Sequence, residues 1–388
     1  MAKWQPPFNL RCITACLDLF ADDIERRVDH ALQFLCLGRE LYQSYGYTVQ
    51  MIRLATNPFP DYLDWTAADP IAPIKAMSDL CDKNNITLSI GPVIRDDSEK
   101  AGLMDLFFEI MTETSAFSSI VMTDPAGAIY RKAVGTAASA IAGMAKLKPM
   151  SNFHFAATAG IPPDTPFFPA SYHDGGPDCF TLGTESASLV MDVFQEEKSF
   201  YRAGRKLASR LDEEFNRLED LSQRLSRRTG WKYAGLDTSP APMKDVSIGR
   251  AIENLTGIPF GSVGTMSACA LITDVIKNVP IKQAGYCGLM LPVMEDQVLA
   301  DRASEGRYGL IELMSYSAVC GTGLDVIPLP GRTAPEQLER LLMDLCALSV
   351  KLKKPLSARL IPIPGREAGE IVTLDSPYLV PTSVFQLK

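Results

Sequence analysis

Leu10-Arg11-Cys12-Ile13-Thr14-Ala15-Cys16-Leu17-Asp18-Leu19-Phe20 sets the pattern that the rest of the chain repeats. Cys12, Thr14 and Cys16 fall on one side of an extended backbone and Ile13, Ala15 and Leu17 on the other, the period of two that marks a strand. The acidic pair Asp22-Asp23 then opens a helical stretch. Strands are expected over 48–54, 87–92, 119–122, 153–157, 179–182, 289–292 and 357–363. Helices are expected over 70–83, 100–114, 133–144, 247–255, 267–277, 297–305, 308–317 and 335–351. The longest helix, 206–228, carries Leu207, Leu211, Phe215, Leu218, Leu221 and Leu225 at spacings of three and four. Strand and helix alternate throughout, which implies an α/β fold whose sheet or barrel is largely parallel, with helices outside.

The chain has 388 residues, more than one core usually organises, so it is either two domains or one large α/β unit. No Gly- or Ser-rich linker interrupts it. One domain over 1–388 is expected, with coarse halves 1–230 and 231–388. Hydrophobic residues make up 46% and charged residues 22%, ordinary globular values that exclude disorder or a fibrous repeat. A formal charge of −8 argues against nucleic acid or an anionic membrane as the partner and leaves a small molecule. Nine cysteines, without Cys-x-x-Cys or Cys/His spacing of a zinc site, are expected to be reduced and mostly buried, as in cytosolic proteins. Residues 1–7 lack the apolar core of a signal peptide, and no apolar run reaches the roughly 18 residues that span a membrane. A cytoplasmic protein is the expectation.

Gly-Thr occurs at 135–136, 183–184, 264–265 and 321–322, and two copies extend to Gly-Thr-x-Ser-Ala, at 183–187 and 264–268. Glycine lets the chain turn sharply, hydroxyls cap helices, and N–H groups at a helix start attract anions. Capping explains any single copy; several on one rim would make a carboxylate or phosphate pocket. Gly183, Thr184, Ser186, Gly264, Thr265, Ser267, Gly321 and Thr322 are therefore candidate ligand contacts. Histidine is scarce: His30, His154 and His173. His154 falls between Phe153 and Phe155, as an interior strand residue would. His173, beside Asp174-Gly175-Gly176 after the Pro-rich stretch 161–170, is the better general-base candidate. Cys287 stands between Gly285-Tyr286 and Gly288, where flanking glycines expose the backbone. Asp237, in a rigid polar loop 237–242, Asp296 and Asp325 are candidate carboxylates, and Asp245 is placed to cap the following helix. No P-loop, Gly-x-Gly-x-x-Gly, Gly-x-Ser-x-Gly or His-Glu-x-x-His is present, which removes the common nucleotide, serine-hydrolase and zincin readings.

Several stretches together resemble the domain-of-unknown-function family 711, also called uncharacterised protein family 0210. They are 10–14, 237–242, 261–268, 285–296, 320–330 and 358–362, and their order runs through nearly the whole chain. The resemblance implies the pyruvate formate-lyase-like fold, a ten-stranded α/β barrel of two parallel five-stranded halves around a central loop. It places Cys287 in a finger-loop region, 285–292, where other members look to carry serine. The C-terminal stretch 364–370 lacks the glycyl-radical motif, so radical chemistry is not expected. The resulting expectation is a non-radical hydrolase, lyase or isomerase acting on a small anionic metabolite in the barrel centre. Gly turns, with Gly285 and Gly288, would hold the anion, and His173, Asp237, Asp296, Asp325 or Cys287 would carry the chemistry. The alternative is a metabolite-binding or regulatory protein without turnover; a third reading is a scaffold with helix 206–228 as a dimer seam. A homodimer is expected from size and helix length. The sequence names no cofactor and no metal.

Overall fold

A computed structural model of the chain describes residues 5–20, 23–98 and 101–387. Asp22, Lys100 and residues 1–4 of the sequence reading lie outside them. Strand β1 (Leu10–Leu17) is buried at every residue because both its faces are covered. Ile13 meets Leu225's neighbourhood at Gly38 on the helical side, while Cys12 Sγ and Thr14 Oγ1 on the other side donate to the Pro166 carbonyl at 3.3 Å each. Then come α1 (Ile24–Ser44), β2 (Val49–Thr56), α2 (Ala72–Lys83), β3 (Ile86–Ile94), α3 (Leu103–Glu113), β4 (Phe117–Val121), α4 (Arg131–Leu147) and β5 (Phe155–Ala159). Strands β1 to β5 pair in parallel in chain order. Small residues let α4 lie close to its neighbours, as at Gly143, where a Cβ would come 2.9 Å from the Phe108 ring.

After the long loop 160–178 come β6 (Cys179–Thr184), α5 (Ala187–Glu196), α6 (Phe200–Thr229), β7 (Lys232–Pro240), α7 (Ile248–Thr256), α8 (Thr265–Lys277), α9 (Gln297–Ser304), α10 (Leu310–Ser317), β8 (Gly323–Pro330), α11 (Pro335–Leu352) and β9 (Leu356–Ile363). A two-stranded ribbon, β10 (Ile371–Val372) with β11 (Thr382–Ser383), follows. The main sheet has nine strands in the order β7-β6-β1-β2-β3-β4-β5-β9-β8. The flanking parallel pairs β6·β7 and β8·β9 run antiparallel to the central five through the β1·β6 and β5·β9 junctions. Strands from both sequence halves thus share one sheet. The apolar stripe of α6 is buried in the protein's own core. Among the described residues, no helix is long and apolar enough to cross a membrane.

The α/β alternation matches the sequence reading, and the differences have local causes. The main sheet holds nine strands where a ten-stranded barrel was expected. The strand expected at 289–292 makes only an isolated parallel bridge, Pro292 to Asp325, and the same segment touches the opposite edge through Gln283 and Leu236. Gly285 at φ +85° and Pro292, which has no N–H, interrupt any continuous ladder. Asp237 to Pro240, expected in a loop, are the end of β7; their polar side chains hid the strand. His154 closes a 3-10 turn, Pro149–His154, and β5 begins one residue later. Asp245 is exposed, and α7 is capped instead by Ser247, whose hydroxyl accepts from Arg250 N.

Candidate functional site

Period-two alternation turns one face of the sheet toward a cavity of about 570 Å³, lined by Met51 and Arg53 of β2, Phe117 of β4, Asp325 of β8, and Ser357 and Arg359 of β9. A β-bulge between Leu10 and Cys12 shifts the register of β1, and Arg11 at that point also lines the cavity. The loop 160–178 supplies Phe167 and Phe168, and the segment after α8 supplies Tyr286, Met290 and Glu295. Exposed Asp82 and Asp375 stand at the solvent side. The volume suits a small metabolite.

Buried charge dominates the wall. Arg11 pairs with Glu185 at 3.3 Å and Glu295 at 2.8 Å; Arg359 pairs with the other oxygen of Glu295 at 2.8 Å and with Asp325 at 2.7 Å. Burial would raise Glu295, but Arg359 and Arg11 outweigh it and hold the carboxyl below its usual range. Asp325 has only Arg359, which Glu295 shares, so burial wins and its carboxyl is pushed up. Within one cluster, then, the two carboxyls are pushed in opposite directions.

Arg53 is different. Its Nη1 donates to the Pro166 carbonyl at 2.8 Å and its Nη2 to Met51 Sδ at 3.5 Å, while Nε is buried with no partner. Among the described residues no carboxylate pairs with it, and burial pushes its pKa down. The Phe168 ring lies 4.9 Å from its guanidinium carbon. Nearby, Gln50 Oε1 is also buried without a partner and also lines the cavity. Tyr286 Oη donates to Ser357 Oγ at 2.8 Å. His154, its ring tilted against Phe117 with centroids 4.4 Å apart, is pushed down to about 4 by burial, with Lys148 and Arg359 adding to it, and so faces the cavity as neutral imidazole.

The residues singled out in the sequence are dispersed. Asp325 and Thr322 line the cavity. Asp237 sits behind it, pushed up to about 6 by burial, and accepts from Ser239 N and Oγ, Tyr286 N and Cys287 N at 2.6–3.0 Å. Asp296 ties α7 to α9, accepting from Ser247 Oγ, Ile248 N, Gly249 N and Leu299 N. Cys287 packs its thiol on the Ala284 carbonyl at 3.4 Å, and burial pushes it up to about 12. Gly285 and Gly288 serve close approach: a Cβ on Gly285 would lie 2.3 Å from Asp237 Oδ2. Gly183 and Thr184 end β6, a Cβ on Gly183 would meet Cys12 Sγ at 2.9 Å, and Thr184 Oγ1 donates to Ser186 Oγ; their neighbour Glu185 is the one that joins the ion network. Gly264 stands at the N-cap of α8 and Thr265 and Ser267 in its first turn, where Thr265 Oγ1 accepts from Gly261 N, outside the cavity lining. Gly321 packs on Gly288. His173 is buried in the long loop with Nδ1 2.7 Å from Asp164 Oδ1, also outside the cavity lining.

The profile of the family described as Uncharacterised ACR (DUF711) matches residues 7–375. The chain belongs to that family. A UPF0210 protein of Pyrobaculum islandicum is 30% identical over 357 residues, which cover 86% of this chain and 78% of that protein. Another, of Pyrobaculum aerophilum, is 34% identical over 247 residues, 60% of this chain and about half (54%) of the relative's own length. One from Oenococcus oeni is 24% identical over 283 residues, 70% and 63% of the two chains. Every residue of the ion network in this DUF711 member falls inside the matched stretch.

The three arginines were missed in the sequence, although a signal existed. Each stands in a strand between apolar neighbours: Leu10-Arg11-Cys12, Ile52-Arg53-Leu54 and Ala358-Arg359-Leu360. In a two-faced buried sheet, that pattern puts a guanidinium in the interior. A second cluster also escaped the spacing rules. Cys16 and Cys179 face each other across the β1·β6 pairing, and their sulfurs and an Asp164 carboxylate oxygen lie within 4.8 Å of one another.

Proposed function

We propose that this DUF711 chain binds a small organic anion in the arginine-walled cavity and transfers a proton to or from it. The observation that carries the reading is Arg53, a buried cation whose Nε has no partner and with which no described carboxylate forms an ion pair. A buried, incompletely paired guanidinium is costly, and a bound carboxylate or phosphate would relieve the cost through charge-assisted hydrogen bonds. Around the cavity the network supplies Arg11 and Arg359 against Glu295 and Asp325, so the anion is drawn by a specific donor set rather than by net charge. The Phe117, Phe153 and Phe168 rings favour a ligand with an apolar or planar part. Asp325 is the acid–base group of this reading, and the Tyr286 phenol, kept neutral by burial and donating to Ser357, completes the polar wall. That chemistry fits a lyase, an isomerase or a hydrolase that needs no radical.

The sheet is proposed to close into a barrel around the cavity. The segment 283–292 bridges to Leu236 at one edge strand and to Asp325 at the other, which supports closure.

The test is a native mass spectrometry and calorimetry screen of small carboxylates and phosphates on wild-type protein and on Arg53→Gln. Binding of at least one anion by wild type, weakened tenfold or more in folded Arg53→Gln, is expected. Equal uptake by both would overturn the reading. A second reading, binding without turnover, is favoured by the full occupation of Asp237 and Asp296 with structural hydrogen bonds. A ligand recovered chemically unchanged, from wild type and Asp325→Asn alike, would select it.

A further inference from the structure

The geometry points to a zinc-class divalent cation site formed by Cys16 Sγ, Cys179 Sγ and the Asp164 carboxylate, with His173 holding Asp164 in place. Cys16 comes from the end of β1, Cys179 from the start of β6, and Asp164 from the long loop. Directly opposed positions of an antiparallel pair bring the two thiols together without any sequence spacing to advertise them. The three ligand atoms lie within 4.8 Å of one another, and a tetrahedral zinc with Zn–S bonds of about 2.3 Å needs sulfurs roughly 3.8 Å apart. Two thiolates with one carboxylate form a donor set that suits zinc rather than magnesium or calcium.

Two further observations support a ligand here. Asp164 holds a left-handed backbone, φ +59°, and its carboxylate is fixed by His173 Nδ1 at 2.7 Å, the supporting hydrogen bond that metal-binding carboxylates commonly have. His173 itself is 1% exposed and reaches two of the three ligands, through its hydrogen bond to Asp164 and its interaction with Cys179. Phe168 and Ala55 wall the thiols from water, which favours a charge-neutralising cation over two separate thiols. The Asp164 side chain is 25% exposed. It borders a pocket of about 350 Å³ with Pro162, Pro163 and Gly285, so the fourth coordination position is open to water. The site does not depend on the arginine-walled cavity.

The experiment begins with reduced, chelator-stripped protein. Zinc should rebind at one ion per chain, and cobalt should give the thiolate-to-metal charge-transfer absorption. Cys16→Ser and Cys179→Ser should abolish that absorption and Cys346→Ser should keep it. Asp164→Asn, at a partly exposed position, should fold and bind zinc at least tenfold more weakly. Should the cysteine variants not fold, zinc should protect Cys16 and Cys179 of the wild-type chain from alkylation. Absence of the cobalt band, its persistence in folded Cys179→Ser, recovery of a Cys16–Cys179 disulfide from protein purified without oxidant, or rapid alkylation of Cys179 despite zinc would each overturn the assignment.

Discussion

Gly288 and Gly321 meet backbone to backbone: a Cβ on either would lie 2.1 Å from the Cα of the other. Gly321 N donates to the Leu289 carbonyl at 3.2 Å and Gly288 N to Ser239 Oγ at 3.0 Å. The contact presses the buried segment 285–292 onto the turn that leads into β8, and so fixes Tyr286 and Met290 against the cavity.

Because the clash is with backbone, no side-chain rotation relieves it. Gly288→Ala and Gly321→Ala should each destabilise the protein by upwards of about 2 kcal/mol in urea unfolding. Gly135→Ala, in the helical interior of α4 with the nearest side-chain atom at 3.9 Å, should be neutral or stabilising by up to about 1 kcal/mol. Equal stability of Gly288→Ala and wild type would contradict the packing described.

In the ion network, Glu295 is the shared partner of two arginines. Replacing it with Gln leaves Arg11 with Glu185 and Arg359 with Asp325, but takes away the anion between them. Glu295→Gln and Arg359→Met should each cost about 3–5 kcal/mol, the usual consequence of removing one member of a buried pair. A double variant that costs much less than the sum would show the coupling directly.

His154 gives stability a pH dependence of definite sign. Its folded value is about 4 against an ordinary 6.5, so on acidification the unfolded chain takes up a proton that the folded protein refuses. The contribution is intact above pH 6.5 and is lost as pH falls toward 4. The imidazole is only partly shielded, so His154→Phe should reduce the stability difference between pH 7 and pH 4.5 by about 2 kcal/mol. Parallel stability curves for the two proteins would remove His154 as the cause.

Cys287 should be a poor nucleophile. Held protonated by burial and packed on backbone carbonyls, it should resist an alkylating reagent at neutral pH, whereas exposed Cys36 reacts first. Peptide mapping after timed labelling reads this, and labelling of Cys287 as fast as Cys36 would restore it as a candidate nucleophile.

The fold was legible where burial follows period. β1, β3, β9, α7 and α11 lie within a few residues of their expected bounds because their apolar positions repeat at two or at three to four. β7 was hidden by Asp237-Thr238-Ser239, where Asp237 and Ser239 are buried against N–H groups of the segment behind them. The site was less legible still. Strand arginines read as surface residues until both sheet faces are known to be covered, and Cys16 and Cys179 become neighbours only through the β1·β6 register. Aspartates attracted notice for their chemistry, yet Asp237 and Asp296 proved to be bound up in holding segments together.

The bonds from Arg11 to Glu295, and through it to Arg359, have a bearing on how the protein is made. Position 11 leaves the ribosome 348 residues ahead of position 359. At roughly 5–20 residues per second that is about 20 to 70 seconds in which this guanidinium must stay hydrated outside any finished interior. β5, likewise, waits for β9. The nascent N-terminal half therefore exposes sheet edges and lone charges until the later strands have been made, and the ion network is completed only once Arg359 has emerged.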